Sequence, residues 1–379
     1  MSQENEVIKS NNSAQMNSEV ALKTRDKMLD DFDIDSETDY EKLMEMTVKM
    51  SDPTYLQTIS MNELFDNVYQ SRKHVIDGLL CSGTYIFAGA PKVGKSFFMA
   101  QLAYHVSTGL PLWDYPVKQG DVLYLALEDD YRRLQERLYR MFGTEGTEHL
   151  HFAISAQHLG SGLDEQLQRF AREHKETKLI IIDTLQKVRE TGSERFSYAS
   201  DYDIISRVKH FADCNRLCVI LVHHTRKQPS DDRFDMISGT NGLLGAADGA
   251  YLLQKEKRTS NQAILDISGR DHQDQRLYLA RDPERMVWLL ERSETDLWKE
   301  PPDPLLDAVA RFISELNTQW TGTATELVDK LELDMKPNVL TARLNISAGR
   351  LSDEYGIYYK SSRSHAGRRI VLKQIEKEL

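Results

Sequence analysis

The sequence predicts an α/β protein in which helices cover both faces of a mostly parallel sheet, with a smaller second domain after it. Two observations lead to this prediction. Between about Val75 and Leu290, short β-branched runs alternate with amphipathic helical stretches. The segment Lys299–Pro304 then places three prolines in six residues, which neither a helix nor a central strand can cross. A chain of 379 residues has room for both domains.

The individual elements follow from the periodicity of apolar residues. Four strands are predicted from aliphatic runs, at Thr84–Ala88, Val122–Leu127, Leu179–Asp183 and Leu217–His223. Amphipathic helices are predicted between them, at Ser96–Thr108, Asp130–Phe142, Leu163–His174 and Tyr202–Asn215. Shorter, closer runs after Ala250 predict antiparallel hairpins at the end of the sheet, at Tyr251–Gln254, Ala263–Ile267, Leu277–Ala280 and Met286–Leu290.

The region beyond the prolines has its own pattern. A helix at Leu305–Leu316 precedes a second helix with capping-box spacing between Thr323 and Glu326, and a third helical region starts near Lys336-Pro337. A basic hairpin over 357–372 follows. Three helices and a basic hairpin form a winged-helix outline, and the alternative is a small packing domain with a solvated hairpin.

These observations divide the chain into five regions. The residues from Asp30 to Glu41 include seven acidic and no basic side chains, which favours a disordered leader. The expected regions are an acidic leader over 1–45, a linker or helical segment over 46–74, the α/β domain over 75–298, a proline-rich linker over 299–304 and the winged-helix-like domain over 305–379.

Composition excludes several classes of protein. The longest apolar runs are far shorter than the roughly 20 residues that a bilayer requires. The N-terminus lacks the basic patch and apolar stretch of a secretory signal, and three cysteines are too few to staple the fold. We therefore expect a cytoplasmic protein with no membrane partner. The net charge of −11 excludes a uniformly basic surface, although Tyr355–Ile375 carries five basic and no acidic residues.

The clearest motif is a phosphate-binding loop of the form G-x-x-x-x-G-K-[ST]. Its residues, with the one that follows, are Gly89, Ala90, Pro91, Lys92, Val93, Gly94, Lys95, Ser96 and Phe97. A predicted strand precedes the loop and a predicted helix follows it. Backbone N–H groups and the helix N-terminus would bind phosphate, Lys95 would reach the β- and γ-phosphates, and Ser96 would hold Mg²⁺.

A nucleotide site of this type also needs a carboxylate directed at the magnesium ion. Asp183 ends a strand of four aliphatic residues, 94 positions after Gly89. A strand of this composition is buried on both faces, so its end reaches the phosphate edge of the sheet. Ser96 and Asp183 are therefore the expected metal ligands, and the cofactors are Mg²⁺ with ATP or GTP. The alternative role for Asp183 is to cap the next segment.

Together these segments resemble the RepA-like hexameric replicative helicases, which have a RecA-like fold. The resemblance covers roughly Val75 to Leu290 and includes, besides the P-loop, Asp121–Asp129, Leu179–Thr184 and Val222–Thr225. It implies ATP as the nucleotide, a homo-oligomer, specifically a hexamer, and single-stranded DNA in a central channel. It also implies replication of a plasmid, phage or other mobile element, with replication proteins as further partners.

The resemblance also implies roles for individual side chains. Glu128 matches the catalytic glutamate that activates water, with Asp129 as a supporting acid. The alternative is that these carboxylates only favour the start of the next helix. His224 matches a γ-phosphate sensor, with His223 not excluded. The competing interpretation is a packed or surface histidine, and zinc is not expected there because no Cys or His partner lies at ligand spacing.

Arg270 matches the arginine finger that RecA-like helicases insert into a neighbouring subunit's site, so its role would require an oligomer. The alternative is a surface arginine paired with Asp271, and Arg258 and Lys257 are substitutes for the finger.

Two loops, over 186–200 and 225–242, would face DNA in the channel, although ordinary exposed loops would look similar. In the C-terminal domain, the cations expected to contact duplex phosphates are Lys336, Arg343, Arg350, Arg363, Arg368 and Arg369. Residues 303–379 nevertheless contain 11 acidic and 11 basic residues, which leaves a protein-contact role open.

The leading hypothesis is a DNA-stimulated ATPase that translocates along DNA or unwinds it during replication. The first alternative is an ATP-switched DNA-binding regulator or helicase-loading factor without unwinding activity. A P-loop kinase acting on a small metabolite is a third and weaker hypothesis, because it does not explain the winged-helix outline.

Overall fold

A computed structural model of the chain describes most residues from 48 onward. The described residues are 48–49, 52, 54–56, 58–69, 71–189, 198–225, 233–237, 241–255, 257, 259–270, 274–294, 302–315, 318–364 and 367–375. They form two compact units, of which the larger spans 70–304 and the smaller combines residues up to Tyr69 with those from Leu305 onward. The expected acidic leader over 1–45 lies outside the described residues.

The larger unit is built on a sheet of nine strands. Its strands are β3 (Gly83–Gly89), β4 (Asp121–Ala126), β5 (Leu150–Ala153), β6 (Thr177–Asp183), β7 (Cys218–His224), β8 (Gly249–Gln254), β9 (Gln262–Gly269), β10 (Gln275–Arg281) and β11 (Trp288–Glu294). The order across the sheet is β11-β10-β9-β8-β3-β7-β6-β4-β5. A separate pair, β1 (His74–Ile76) and β2 (Leu80–Cys81), precedes it.

Helices connect and cover these strands. They are α2 (Lys95–Thr108), α3 (Tyr131–Phe142), α4 (Leu163–Glu173), α5 (Leu185–Val188), α6 (Tyr198–Asn215) and α7 (Asn241–Ala246). The six strands from β8 to β5 run parallel, and β9, β10 and β11 are antiparallel. Crossover helices are what a parallel sheet requires.

Two apolar layers hold this unit together. One layer packs α2 and α3 on one face of the sheet, around Phe87, Met99 and Trp288. The other packs α4, α6 and α7 on the opposite face, around Leu167 and Ile182. Strand β6 is buried along almost its whole length, as expected for a strand covered on both sides. The predicted fold class is confirmed.

Local differences from the predicted elements have physical causes. Strand β5 was not predicted because its four residues include His151 and are only partly buried. Strand β11 begins at Trp288 and not at Met286, since Met286 adopts φ of +63° in a tight turn closed onto Asp282. Helix α6 begins at Tyr198, four residues before the predicted start.

The smaller unit contains α1 (Met61–Asp66), α8 (Pro304–Glu315), β12 (Gln319–Thr323), α9 (Ala324–Lys330), α10 (Pro337–Ile346), α11 (Ala348–Asp353), β13 (Ile357–Ser364) and β14 (Gly367–Gln374). Its three strands form an antiparallel sheet in the order β12-β14-β13. The capping box at Thr323 and Glu326 and the start of a helix at Pro337 are confirmed. Strand β12 was not predicted.

Helix α1 belongs to this smaller unit, although the sequence interpretation assigns residues 46–74 to a linker or helical segment. Asn345 donates a side-chain hydrogen bond to the carbonyl of Phe65 at 2.9 Å, and Arg368 pairs with Asp66 at 2.8 Å. A capping box between Ser60 and Glu63 starts the helix. The chain therefore contributes to this unit from both sides of the α/β unit.

Within the part of the chain that the structure describes, the helices are too short or too polar for any of them to span a bilayer.

Candidate nucleotide site

The P-loop joins the end of β3 to the start of α2. Its last glycine, Gly94, has φ of +112°, a conformation that side chains with a Cβ rarely adopt. A Cβ at Gly94 would also lie 2.8 Å from the Trp288 ring. No side chain caps the N-terminus of α2. The loop therefore presents uncapped N–H groups and the positive end of a 14-residue helix, which is the environment that binds phosphate.

Lys95 is buried inside this loop, with 7% of its surface exposed. Its Nζ donates hydrogen bonds to the carbonyl oxygens of Gly89 at 2.8 Å and Ala90 at 3.1 Å. Burial lowers the pKa of Lys95 to about 8, against the opposing effect of the carboxylates of Asp183 and Glu128. A buried ammonium with incomplete compensation is well suited to bind an anion.

Asp183 lies at the end of β6, 5% exposed, and accepts a hydrogen bond from the Tyr124 hydroxyl at 2.9 Å. Burial raises the pKa of Asp183, while hydrogen bonds from Ser96 and Tyr124 lower it. The expected pair of metal ligands, Ser96 and Asp183, is therefore in contact. Hydroxyl and carboxylate oxygens are the donors that Mg²⁺ prefers, and a divalent cation would offset the cost of burying this carboxylate. The residues fit the ion.

Glu128 stands just beyond the end of β4, on the same edge of the sheet. Ala126 of β4 is the register partner of Asp183 in β6, which brings the ends of both strands together. The Glu128 side chain is exposed, and its Oε1 accepts a hydrogen bond from the Thr184 hydroxyl at 3.2 Å. Thr184 thus orients an acceptor beside the metal ligands. Sequence patterns did not identify Thr184, since a single threonine after a strand carries no signal.

Asp129 is held in a different arrangement. Its carboxylate pairs with Arg137 at 2.7 Å and with Arg133 at 3.6 Å, and 9% of the side chain is exposed. Both arginines lie on α3, so Asp129 ties the start of that helix to the end of β4. The structure therefore gives Asp129 an anchoring contact rather than proximity to water.

The two consecutive histidines at the end of β7 have different environments because adjacent strand residues point to opposite faces. His224 is the register partner of Gly89, and its Nδ1 lies 3.2 Å from Lys95 Nζ. His223 is buried, with 5% exposed. Burial and the charge of Lys95 lower the pKa of His224. Since an ammonium can only donate, Nδ1 accepts this bond and the neutral ring carries its proton on Nε2.

Arg270 lies far from the P-loop of its own chain. It follows Gly269, the register partner of Gly249, and Gly249 pairs with Tyr85 near the beginning of β3. The phosphate edge is at the other end of these strands, roughly 13 Å away at 3.3 Å per residue. The Arg270 guanidinium donates to the carbonyl of Gly245. Arg258 and Asp271 lie outside the described residues, and Lys257 is exposed.

Cations beside the P-loop were not found from sequence. The guanidinium of Arg281 lies 4.2 Å from the centre of the Phe97 ring, and Arg137 lies 5.1 Å from it. Nε and Nη2 of Arg281 are buried without a hydrogen-bond partner among the described residues. Burial and the nearby Arg140 and Arg137 lower the pKa of Arg281. These cations lie next to the start of α2, where a nucleotide's negative charge would stabilise them.

Some of the cations expected to contact DNA have partners within the chain. Arg189, in the first expected channel loop, is buried and pairs with Asp201 at 2.9 Å, so it is not positioned to contact DNA. Residues 190–197, 226–232 and 238–240 of the two loops lie outside the described part. In the smaller unit, Arg350 pairs with Glu354 at 2.9 Å and Arg368 pairs with Asp66. Such exposed pairs are weak and exchangeable.

Comparisons with known proteins agree with this geometry. The family model described as AAA domain matches residues 51–230, a range that ends after β7. No curated protein matches the chain. Among solved structures, the chain is similar to an isolated ATPase domain, with 15% identity, coverage of 67% of this chain and 98% of that chain, and a TM-score of 0.47. It is also similar to a DnaB-like replicative helicase whose interactions with primase are described, with 14% identity, coverage of 73% and 77%, and a TM-score of 0.49.

The sheet order, the P-loop after β3 and the carboxylate at the end of β6 are those of the RecA-like P-loop ATPase fold. That fold is therefore established for the larger unit, and the AAA domain match supports an ATPase.

The lowered pKa of Lys95 makes stability depend on pH in a defined direction. Between about pH 8 and the usual lysine value of 10.5, the unfolded chain holds a proton that the folded chain has released. Stability without nucleotide should therefore rise with pH across this window. Below it, Lys95→Met should raise the free energy of unfolding by about 1–3 kcal/mol, because the cost of burying the charge is then fully present.

Urea denaturation of wild type and variant at pH 7 and pH 9.5 measures this difference, and the other titrating groups cancel in the comparison. Lys95→Arg is the control, because it stays charged and should show no rise relative to Lys95→Met. A difference between wild type and Lys95→Met that is the same at both pH values would contradict the assignment.

Proposed function

We propose that the protein is an Mg²⁺-dependent ATPase that acts on DNA in replication, as a helicase or translocase working as a homo-oligomer, specifically a hexamer. The observation that carries the ATPase proposal is the convergence of four side chains, Lys95, Asp183, Glu128 and His224, at one edge of the sheet. They come from four different segments of the chain. The AAA domain match over 51–230 supports the same conclusion.

The chemistry assigned to these residues is hydrolysis of the terminal phosphoanhydride bond. The P-loop N–H groups and Lys95 bind the phosphates and neutralise the charge that develops on the transferring phosphoryl group. Glu128, oriented by Thr184, accepts the proton of the attacking water, and ADP leaves with the bridging oxygen. The bound magnesium ion, held by Ser96 and Asp183, would supply charge neutralisation between the phosphates.

The hydrogen bond between Lys95 and His224 supports a sensing role for His224. Lys95 contacts the phosphates and His224 ends β7, immediately before the segment over 225–242. When the γ-phosphate leaves, the electrostatic demand on the Lys95 ammonium changes, and so does its bond to Nδ1. The proton on Nε2 is available to bind a phosphate oxygen. Nucleotide state would thereby reach the loop that is proposed to contact single-stranded DNA.

The proposed arginine finger fits the position of Arg270. Because Arg270 lies at the edge of the sheet away from its own P-loop, it has no access to the phosphates of its own chain. It is exposed, so a neighbouring subunit could receive it. An arginine supplied in this way contributes about 10³- to 10⁵-fold in rate. The proposal thus requires an oligomer in which each site is completed by the next subunit.

The smaller unit supports a DNA-binding role through its topology. Helices α8, α9 and α10 precede the β13–β14 hairpin, and β12 joins that hairpin in a three-stranded sheet. This is the element order of a winged-helix domain, in which α10 would approach duplex DNA and the hairpin would contact phosphates. Lys336 at the start of α10 and Arg369 on β14 are the cations best suited to those contacts.

Substitutions at the site should separate binding from hydrolysis. Lys95→Ala should lose both nucleotide binding and turnover. Glu128→Gln should retain ATP binding but hydrolyse it about 10²- to 10⁴-fold more slowly, because only the proton acceptor is removed. Phosphate release and binding of a fluorescent ATP analogue measure the two effects. Glu136→Gln, an exposed α3 residue paired with Arg132, is the matched control and should be unaffected. Full activity in Glu128→Gln would disprove its role.

Activity on DNA is tested with purified wild type and a forked duplex. We expect single-stranded DNA to increase the rate of ATP hydrolysis and ATP to drive strand displacement. Site-specific, ATP-dependent binding without displacement would instead favour the regulator or loading factor. An unchanged ATPase rate in single-stranded DNA, together with no ring in electron micrographs, would contradict the motor proposal.

The finger role of Arg270 predicts complementation between subunits. Arg270→Ala and Glu128→Gln should each be inactive alone, since each lacks one half of every site. Mixed oligomers would contain interfaces with an intact Glu128 and an intact Arg270 from the neighbour, so ATPase activity should reappear on mixing. Gel filtration should show that both variants still assemble. If mixing restores nothing while the mixed oligomers form, Arg270 does not act in trans.

A further inference from the structure

A second cluster of chemically active side chains lies at the end of the sheet away from the P-loop. It consists of Asp121, His149, His151 and His174, called the histidine cluster below. Asp121 is the first residue of β4, while the phosphate edge lies beyond its last residue, Ala126. At 3.3 Å per residue, the two sites are roughly 16 Å apart along the strand. The cluster is therefore independent of the nucleotide site.

The topology of the sheet brings these residues together. His151 on β5 is next to Leu123 of β4, whose register partner it is, and Asp121 lies two residues before Leu123. Side chains two residues apart share a face of a strand, so Asp121, His149 and His151 lie on the same face. His174 reaches that face from the end of α4, where it is the C-cap residue.

The distances within the cluster are those of potential metal ligands. One ligand atom each from Asp121, His151 and His174 lies within 4.8 Å of the other two. His174 Nδ1 is 3.8 Å from Asp121 Oδ2, and the rings of His151 and His174 have their centres 4.3 Å apart. The second oxygen of Asp121 is engaged separately, 2.7 Å from Nδ1 of His149.

Burial leaves one atom of this cluster without a partner. Nε2 of His151 is buried and has no hydrogen-bond partner among the described residues. An unpaired polar atom at such a position is costly, and a ligand would compensate for it. Burial, together with the neighbouring His174, lowers the pKa of His151. A neutral imidazole is the form that binds a metal ion.

We propose that Asp121, His151 and His174 bind one zinc-type divalent cation, with water in the fourth position. Two imidazole nitrogens and one carboxylate oxygen form a ligand set typical of Zn²⁺ and unsuited to Mg²⁺, which prefers oxygen. His149 acts as a positioning residue, since its bond to Oδ1 leaves Oδ2 directed toward the metal. The partnerless nitrogen of His151 thereby gains a ligand.

The metal would join three elements of the larger unit: the beginning of β4, the edge strand β5 and the end of α4. Strand β5 is four residues long and pairs only with β4 along this edge in the described structure. Edge strands are the weakest part of a sheet. A cation that ties β5 to its neighbours would therefore stabilise this edge without taking part in ATP hydrolysis.

The full-length protein is tested first, without any substitution. After removal of metal by chelation, it is loaded with ZnCl₂ in excess Mg²⁺, dialysed, and its zinc content measured by mass spectrometry. We expect one zinc per chain. With CoCl₂ as probe, a tetrahedral visible absorption spectrum should appear, and Zn²⁺ should displace it. Zn²⁺ at a hundredfold excess over Kd should raise Tm by roughly 5 °C.

Variants assign the ion to these residues. His151→Ala and His174→Ala should each abolish the cobalt spectrum and the zinc-dependent rise in Tm, and His149→Ala should weaken zinc binding by about 10- to 100-fold. Far-UV circular dichroism shows whether each variant folds, and Asp121→Asn provides a further ligand substitution of nearly equal size. ATPase activity should be unchanged in His151→Ala, which separates this proposal from the proposed function.

A second possible source of metal binding in the chain is controlled for. Cys214 Sγ lies 3.6 Å from a ring nitrogen of His210, so this pair could bind Zn²⁺ weakly. The double variant Cys214→Ser, His210→Ala should retain the full stoichiometry and the cobalt spectrum. The proposal is overturned if wild type binds no zinc after dialysis, or if folded His151→Ala and His174→Ala bind as much zinc as wild type.

Discussion

The burial of one positive charge, the ammonium of Lys95, is the constraint on which the larger unit depends. The side chain can be buried there because the P-loop turns two carbonyl oxygens toward it and because carboxylates stand nearby. A charge that is only partly compensated costs folding energy and favours anion binding. Strain at Gly94, the uncapped start of α2 and the burial of Asp183 follow the same logic, since each is stabilised by a bound metal-nucleotide complex.

The rest of the sheet positions groups around that charge. Parallel strands β3, β7, β6 and β4 end at one edge, so Lys95, His224, Asp183 and Glu128 converge although they are far apart in the chain. The opposite edge receives Arg270 and the histidine cluster. This separation supports a division of labour, in which one edge holds the nucleotide of its own chain and the other contacts a neighbour or is stabilised by an ion.

Sequence reasoning was accurate where the signal was local. The P-loop, the aliphatic run before Asp183, the alternation of strands and helices and the capping box at Thr323 are each written in a few consecutive residues. Their physical causes, such as burial on both faces or satisfaction of helix N–H groups, act over the same short range. Short or half-buried elements such as β5 and β12 gave weaker patterns because partial burial mixes polar and apolar residues.

The sequence alone determined that the chain has a phosphate-binding loop, a buried carboxylate partner for it and an α/β fold around both, because these depend on contiguous residues. Only the tertiary structure decided which of two adjacent histidines faces Lys95, which aspartate is tied to Arg137, and that α1 packs with the C-terminal elements. It also brought Asp121, His149, His151 and His174 to one surface. These outcomes depend on strand register and on contacts between distant segments, and no local pattern encodes them.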